Sequence, residues 1–364
     1  MPSASALSQR RQLLDPDIFK RINNLFVSAF DDHTTINGYH ILAQDGSDVN
    51  IPFIDDKTKI ENHDAKSFCQ YHVNALYDCL NKVFYDWSID AASKKREVNA
   101  LISILKDRNY PQNSIFTADR GYESYNLMAH FIENDIKFVI RVKDIHTKSG
   151  LMTNIKTEEG AFDIRVTRTL TSLQTKEIKA DKEKYIFVPS TSNFDFLDET
   201  RDLYDLSFRA VRFKISEDTY ETVVTNLSEE EFKTEDFKEL YHYRWNEETA
   251  FNKLKYTIGL VYFHARKRKL IQQEINAAFL MYNVSEVIIR NIYLKKNKKP
   301  ELEYDYKPNF SSAVTNIRLY LRKKINMREL ILRIKKFLVA QRPERSYERN
   351  IKGQSCKPLN YRTS

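Results

Sequence analysis

The sequence predicts an α/β protein: a mixed-sheet core, a β-rich segment set into it, and a basic helical C-terminal region. Three observations carry this. Strand-like runs alternate with helical periodicities between residues 36 and 144. From about 145 to 230 the texture changes to short alternating strands, FDIRVTRTL, KYIFVP, YDLSFRAVRFKI and ETVVTNL, which read as antiparallel sheet. Beyond residue 263 long helical patterns take over.

Residues 15–30 carry a helical pattern within an N-terminal segment, 1–35. Strands are expected near 39–45, 49–53, 71–78 and 82–89, a helix at 93–108, a strand ending at Asp119, a helix at 123–134, and a buried strand in IKFVIRVK. After the β-rich segment, a helix over 229–257 would begin at Ser228, with Glu231 at capping-box spacing, and stop before Gly259. It completes the core as segment 231–262. Residues 263–364 follow, with helices over 268–294 and 310–340.

Composition narrows the function. The chain has 364 residues, 41% hydrophobic and 30% charged, enough for one large core with an insertion. No apolar run approaches the roughly 20 residues that span a bilayer, and MPSASALSQRRQLLDPD lacks a signal-peptide core, so a cytoplasmic protein without a membrane partner is expected. Cys69, Cys79 and Cys356 form no CxxC pair, as suits reduced thiols, and His63, Cys69 and His72 match no common zinc spacing. The net charge is +8, but residues 300–364 hold 15 Lys/Arg against 6 Asp/Glu, a net of +9, leaving −1 for the rest. Such a polycationic end suits nucleic acid, because phosphate binding releases counterions.

The chemistry is carried by YHYRWNEETAFNKLK. At about 100° per residue, Tyr241, Arg244, Glu248 and Lys255 fall at roughly 0°, −60°, −20° and −40° on a helix, one shared face. A carboxylate between two cations and a phenol suits a phosphodiester held by a metal. In GYHILAQDGSDVNIP a strand-like run ends at Asp45 and turns at Gly46, and in NSIFTADRGYESYNL another ends at Asp119 before Gly121. Strand C-terminal ends are where open α/β sheets place their sites. Asp45, Asp119 and Glu248 would converge as hard oxygen ligands for Mg²⁺.

Together, QDGSDVNIP, TADRGYESYNLMAHFIENDIKFVIRVK and the Tyr-Arg-Glu-Lys stripe resemble the DDE transposases of bacterial insertion sequences, in the YREK-signature (IS-four type) branch. The order and type of each signature residue match, and the likeness runs along the whole chain. It implies a ribonuclease-H-like core, 36–144 and 231–262, with the 145–230 insertion packed over the active site. It also implies two Mg²⁺ ions, with Mn²⁺ as substitute, about 4 Å apart, bridged by Asp45, with Asp119 and Glu248 each holding mainly one. Tyr241 and Arg244 would bind the phosphate near the scissile bond and Lys255 the DNA backbone.

The implied activity is metal-dependent cleavage at the element's ends and attack of the freed 3′-OH on target DNA, with a hairpin intermediate as one route. The partners are double-stranded DNA, as element ends and target, and a second protomer in a homodimer on DNA; the location is the bacterial nucleoid. Trp245, about 100° from Arg244, is expected in the core. For a flipped base the insertion offers Tyr185, Phe187 or Phe194 but no Trp. Family members carry an N-terminal end-reading domain, for which there is too little chain before Asp45, so a truncated or short form is expected. The alternatives are a ribonuclease-H-like nuclease that cuts without joining, or a DNA-binding remnant without transposition activity.

Overall fold

A 12-residue strand, His40–Ile51 (β1), forms the axis of the protein. In this computed structural model, residues 3–29, 33–52, 56–61, 67–92, 96–145, 147, 149–198, 200–216, 219–294 and 304–341 are described. Ile41 and Ala43 face one side of β1 and Leu42 the other, all three buried, so the strand reads as a continuous apolar run rather than an alternating one. Its partners are Phe68–Asp78 (β3) in antiparallel register and Ser114–Ala118 (β5) in parallel register.

Val83–Ala91 (β4) and the two-residue Lys59–Ile60 (β2) lie along the outer edge of β3, while Lys137–Val142 (β6) lies parallel to β5. Parallel strands need a crossover, supplied by Glu97–Asp107 (α3) before β5 and Tyr125–Glu133 (α4) between β5 and β6. The sheet then continues through Thr219–Thr225 (β10), Leu203–Ser216 (β9), Phe162–Thr171 (β7) and Tyr185–Phe187 (β8), with the short helix Lys176–Ala180 (α5) between β7 and β8. The β-rich segment therefore extends the core sheet across the β6–β10 edge.

Each face of the sheet is covered. On one side Ile41, Ala43, Val73 and Ala75 pack against Asp236–His242 (α6), Trp245–Asn252 (α7) and Arg268–Leu294 (α8), through Phe237, Leu240, Phe251 and Phe279, with Leu254 just after α7. On the other, Leu42, Phe116, Phe138 and Ile140 pack against Leu101, Leu105, Leu127 and Phe131 of α3 and α4.

A row of buried amides on α8 ties the N-terminus to this body. Ala4–Arg11 (α1) is held by Gln273, which donates to the Arg11 and Leu14 carbonyls. Ile18–Ser28 (α2) is held by Asn276, which donates to Pro16 O and accepts from Trp87 Nε1 at 2.7 Å. Asn283 accepts from Phe84 N at 2.8 Å and donates to Phe84 O and to Asn23.

Four expectations are revised. The strands at 39–45 and 49–53 are one strand, β1, with no turn at Gly46; residue 53 lies outside the described residues. The helix expected over 229–257 starts only at Asp236. Ser228 and Glu231 do make their reciprocal contacts, but Arg209 donates to the Ser228 and Phe232 carbonyls, and Thr234 to Asp163, which holds 228–234 as a turn. That helix also breaks at Tyr243–Arg244 and ends in a π-helical turn, Lys253–Ile258. The tail over 310–340 is two helices, Phe310–Leu321 (α9) and Met327–Lys336 (α10), strapped by strands Asp305–Pro308 (β11) and Leu338–Gln341 (β12). The basic residues after 341, Cys356 and His63 lie outside the described residues.

Two stability outcomes follow from these contacts. Asn283→Leu strands the Phe84 N–H and Asn23 Oδ1 in the core, the Phe84 C=O keeping Asn23 Nδ2, and chemical denaturation should show a loss of about 2–4 kcal/mol. For Asp163, burial would raise the pKa, but hydrogen bonds from Arg209 and Thr234 outweigh it and hold it low. A depressed folded pKa stabilises above the unfolded value of about 3.9 and ceases to as pH falls through the folded value. Denaturation midpoints between pH 5 and 2.5 should thus fall in the parent, and fall less steeply in Asp163→Asn, which starts lower at neutral pH.

Candidate active site

The parallel ladder between β1 and β5 ends at the pair Gln44↔Ala118. Asp45 and Asp119 are the next residue on each strand, so the register alone sets the two acids side by side. β5 stops there, whereas β1 runs on against β3 alone, with Asp45 opposite Ala75. The expectation that Asp45 ends a strand is thus corrected: it is the partner strand that ends, which opens the sheet at the same place.

Gly46 takes its meaning from this strand. A Cβ there would lie 2.3 Å from Nε2 of His72, whose buried ring crosses the strand at that point. The glycine is required by close approach and not by a turn. Asp119 Oδ1 accepts from Gly121 N at 2.8 Å and caps the short turn Arg120–Tyr122, and Asp45 Oδ1 accepts from Gly46 N at 2.8 Å.

Burial raises the Asp45 carboxyl to about 6; Gly46 N–H and Arg244 oppose this, while Asp119 and Glu97 add to it. An acid shifted by desolvation and by neighbouring carboxylates marks a functional centre. Strand alternation places Asp45 on the face covered by α7.

The helical stripe is assembled differently from a single straight helix. Tyr241 is the penultimate residue of α6, Arg244 precedes α7, Glu248 is in α7, and Lys255 is in the π-helical turn. Arg244 nevertheless links the first three: Nε donates to Tyr241 Oη at 3.1 Å, and Nη2 lies 3.5 Å from Glu248 Oε1. Asp45 and Glu248 are both within its electrostatic reach. Lys255 is lowered by burial, against the pull of Asp48 and Asp45, which lie within its electrostatic reach.

Tyr241 is only 1% exposed, and its hydroxyl is engaged by Arg244. Trp245, expected in the core, is 42% exposed and lies beside the Arg244 guanidinium, 5.2 Å from ring centroid to Cζ. The break at Tyr243–Arg244 turns it outward, onto a groove of about 740 Å³ shared with Phe213, Ile215, Lys238 and Tyr241. Of the insertion aromatics, Phe187 is exposed, and Phe194 packs on Phe196 and Tyr204.

Sequence reasoning passed over two acids. Glu247 is 0% exposed, its carboxyl oxygens make no hydrogen bond of ordinary geometry, and the Asp45 backbone amide faces them; burial, then Asp45, push its pKa far up. The spacing selects Glu248, so only the doubled Glu could have drawn attention to it. The second, Glu97, opens α3 and is held by His72. Nothing in the sequence pattern marks it.

Among the described residues, no three His, Cys, Asp or Glu side chains are close enough together to clasp a metal ion as they stand. The donor chemistry does fit one: several carboxylates share a partly buried region, and the burial that raises Asp45, with the smaller repulsion from Asp119 and Glu97, is what a hard cation would offset. No helix among the described residues is long and apolar enough to cross a membrane.

Among solved structures, the cryo-EM structure of a piggyBac transposase synaptic complex with hairpin DNA is similar over 95% of this chain and 67% of that one, at 11% identity and a TM-score of 0.45. No curated protein matches the chain. Residues 36–284 match the family described as the transposase DDE domain, a span that contains Asp45, Asp119, Glu248 and the Tyr-Arg-Glu-Lys stripe. The chain belongs to the DDE transposases.

Proposed function

We propose that this transposase cuts DNA at the ends of an insertion sequence and joins the freed 3′-OH ends to target DNA, with Asp45, Asp119 and Glu248 as its catalytic acids. The observation that carries the reading is the register, which makes Asp45 and Asp119 neighbours where β5 ends; Arg244, at the start of α7, adds to it by acting on Asp45 while it pairs with Glu248. The sheet order β4-β3-β1-β5-β6, in which β1, β5 and β6 are parallel to one another and only β3 runs against the rest, supports a ribonuclease-H-like core with residues 145–230 as its insertion.

The three acids would hold Mg²⁺, or Mn²⁺ in its place, and bound ions would activate the attacking oxygen and stabilise the leaving one. Asp45 is set to be shared, since it feels Asp119 on one side and Arg244, beside Glu248, on the other. Arg244 presents a planar fork suited to a phosphate. Tyr241, buried beneath it, acts by holding that fork. Lys255 adds a positive charge facing the acids, where a DNA backbone would pass. Joining two ends requires two active sites, which favours a homodimer on DNA.

Cleavage and strand transfer on duplexes carrying the element ends, with Mg²⁺ or Mn²⁺, test this directly. Asp45→Asn, Asp119→Asn and Glu248→Gln should each lower both steps by more than about 100-fold while leaving DNA retention in a gel unchanged. Cutting without joining would make the chain a nuclease; retention with no metal-dependent product would leave a DNA-binding remnant. Tyr241→Phe removes one hydrogen bond to a charged group, and a loss of roughly tenfold in cleavage rate is expected. Arg244→Lys, which loses the fork as well, should cost more in the same assay.

A further inference from the structure

Glu97 lies where no part of the Tyr-Arg-Glu-Lys pattern reaches. It is the first residue of α3, on the opposite side of the sheet from α7, yet its charge reaches Asp45. The absence of a side chain at Gly46 lets it approach: an ideal Cβ at Gly46 would lie 2.9 Å from Glu97 Oε1. Its other oxygen turns toward the end of β5. A Cβ built at Gly121 would meet Asp119 Oδ1 at 2.9 Å and Glu97 Oε2 at 3.8 Å, so the two carboxylates flank one point.

The aim of this side chain is fixed by His72. That ring is 0% exposed; its Nε2 lies 3.2 Å from Glu97 Oε1 and 3.1 Å from Asn74 Oδ1, and its Nδ1 lies 2.6 Å from Asp48 Oδ1. Carboxylate or amide oxygens thus flank both ring nitrogens, Asp48 on one side and Glu97 with Asn74 on the other. His72 is paired in register with Asp48 on β1 and with Asp90 on β4, so its position is set by three strands. A glutamate opening a helix has an ordinary role in offsetting the helix dipole. That role is met by a side chain directed to solvent and does not require a buried imidazole beside a pair of acids.

We propose that Glu97 is a fourth carboxylate of the metal centre, and that His72 is the positioning residue that aims it at the space beside Asp45 and Asp119. The inference rests on the reading of that centre given above. Glu97 adds one negative charge and one hard oxygen donor, which raises affinity for a divalent cation. His72, braced by Asp48 and Asn74, keeps the carboxylate from turning away.

The test is Mn²⁺ binding to the full chain without DNA, followed by isothermal calorimetry and by the loss of the free-ion electron paramagnetic resonance signal. Asp45→Asn, Glu97→Gln, His72→Asn and His72→Gln are compared, with thermal midpoints and circular dichroism recorded for each. Glu97→Gln keeps the size of the side chain and a contact to His72, so its fold should be intact while its Mn²⁺ Kd rises roughly tenfold or more. His72→Asn leaves the carboxylate present but unaimed, because the shorter side chain cannot reach Glu97, and a smaller, several-fold rise is expected; His72→Gln, whose amide nitrogen reaches about as far as Nε2 and can donate to Glu97, should recover most of it. If Asp45→Asn weakens Mn²⁺ binding and Glu97→Gln does not, Glu97 is only a structural partner of His72 and the inference falls. If neither substitution changes Mn²⁺ binding, the reading of the centre fails and the inference fails with it.

Discussion

The structure depends on one constraint: two neighbouring parallel strands of unequal length. While β1 and β5 run together, through Gln44↔Ala118, their side chains serve the core. One residue later the shorter strand has ended, and the next side chain on each strand is an aspartate. Burying two carboxylates inside a sheet would be prohibitively unfavourable. Placing them at the first position where one strand is missing leaves them half-buried, close to each other and reachable from one side. The raised pKa of Asp45 is the electrostatic consequence of that placement.

The continuation of β1 past Asp45 matters as much as the stop of β5. Because β1 remains hydrogen-bonded to β3 through Ile51, the backbone carrying Asp45 is held on one edge although its other edge is open. The cost is local crowding, met by glycine at 46, where the His72 ring takes the space a Cβ would fill. Rigidity on one side and access on the other are what the proposed role of Asp45 as a metal-holding acid would require.

How much of this was legible depended on how local each determinant is. The order of strands and helices through residue 142 follows from periodicity, and α8 follows from a long amphipathic pattern with an internal row of amides. The Tyr241, Arg244 and Glu248 stripe was legible as residue types at a spacing, since its members lie close together in the chain, and Asp45 and Asp119 as acids next to strand-like runs. What periodicity could not convey was set by distant partners. An Asp-Gly pair reads locally as a turn, but Gly46 answers to His72, 26 positions on. Ser228 and Glu231 read locally as a helix cap and do interact, yet Arg209 takes the carbonyls that a helix would have used. Trp245 was assigned to the core from an unbroken helix, and the break at Tyr243–Arg244 turned it outward.

That break also clarifies how the stripe works. On a straight helix, Tyr241, Arg244, Glu248 and Lys255 would be surface neighbours, joined by pairings worth a few tenths of a kcal/mol each. With the chain divided, Tyr241 belongs to a helix packed under the sheet, while Arg244 enters a second helix whose next turn carries Glu248. The guanidinium is stacked and hydrogen-bonded from below by Tyr241, flanked by exposed Trp245, and directed at Glu248 and Asp45. A π-helical turn then widens the spiral at Lys253–Ile258, altering the direction of Lys255 relative to a regular helix, and such turns recur at functional sites. The four residues are therefore spread across a helix junction rather than along one helix: the buried phenol gives the Arg244 cation a fixed orientation, and the lysine feels Asp48 and Asp45 from a separate turn.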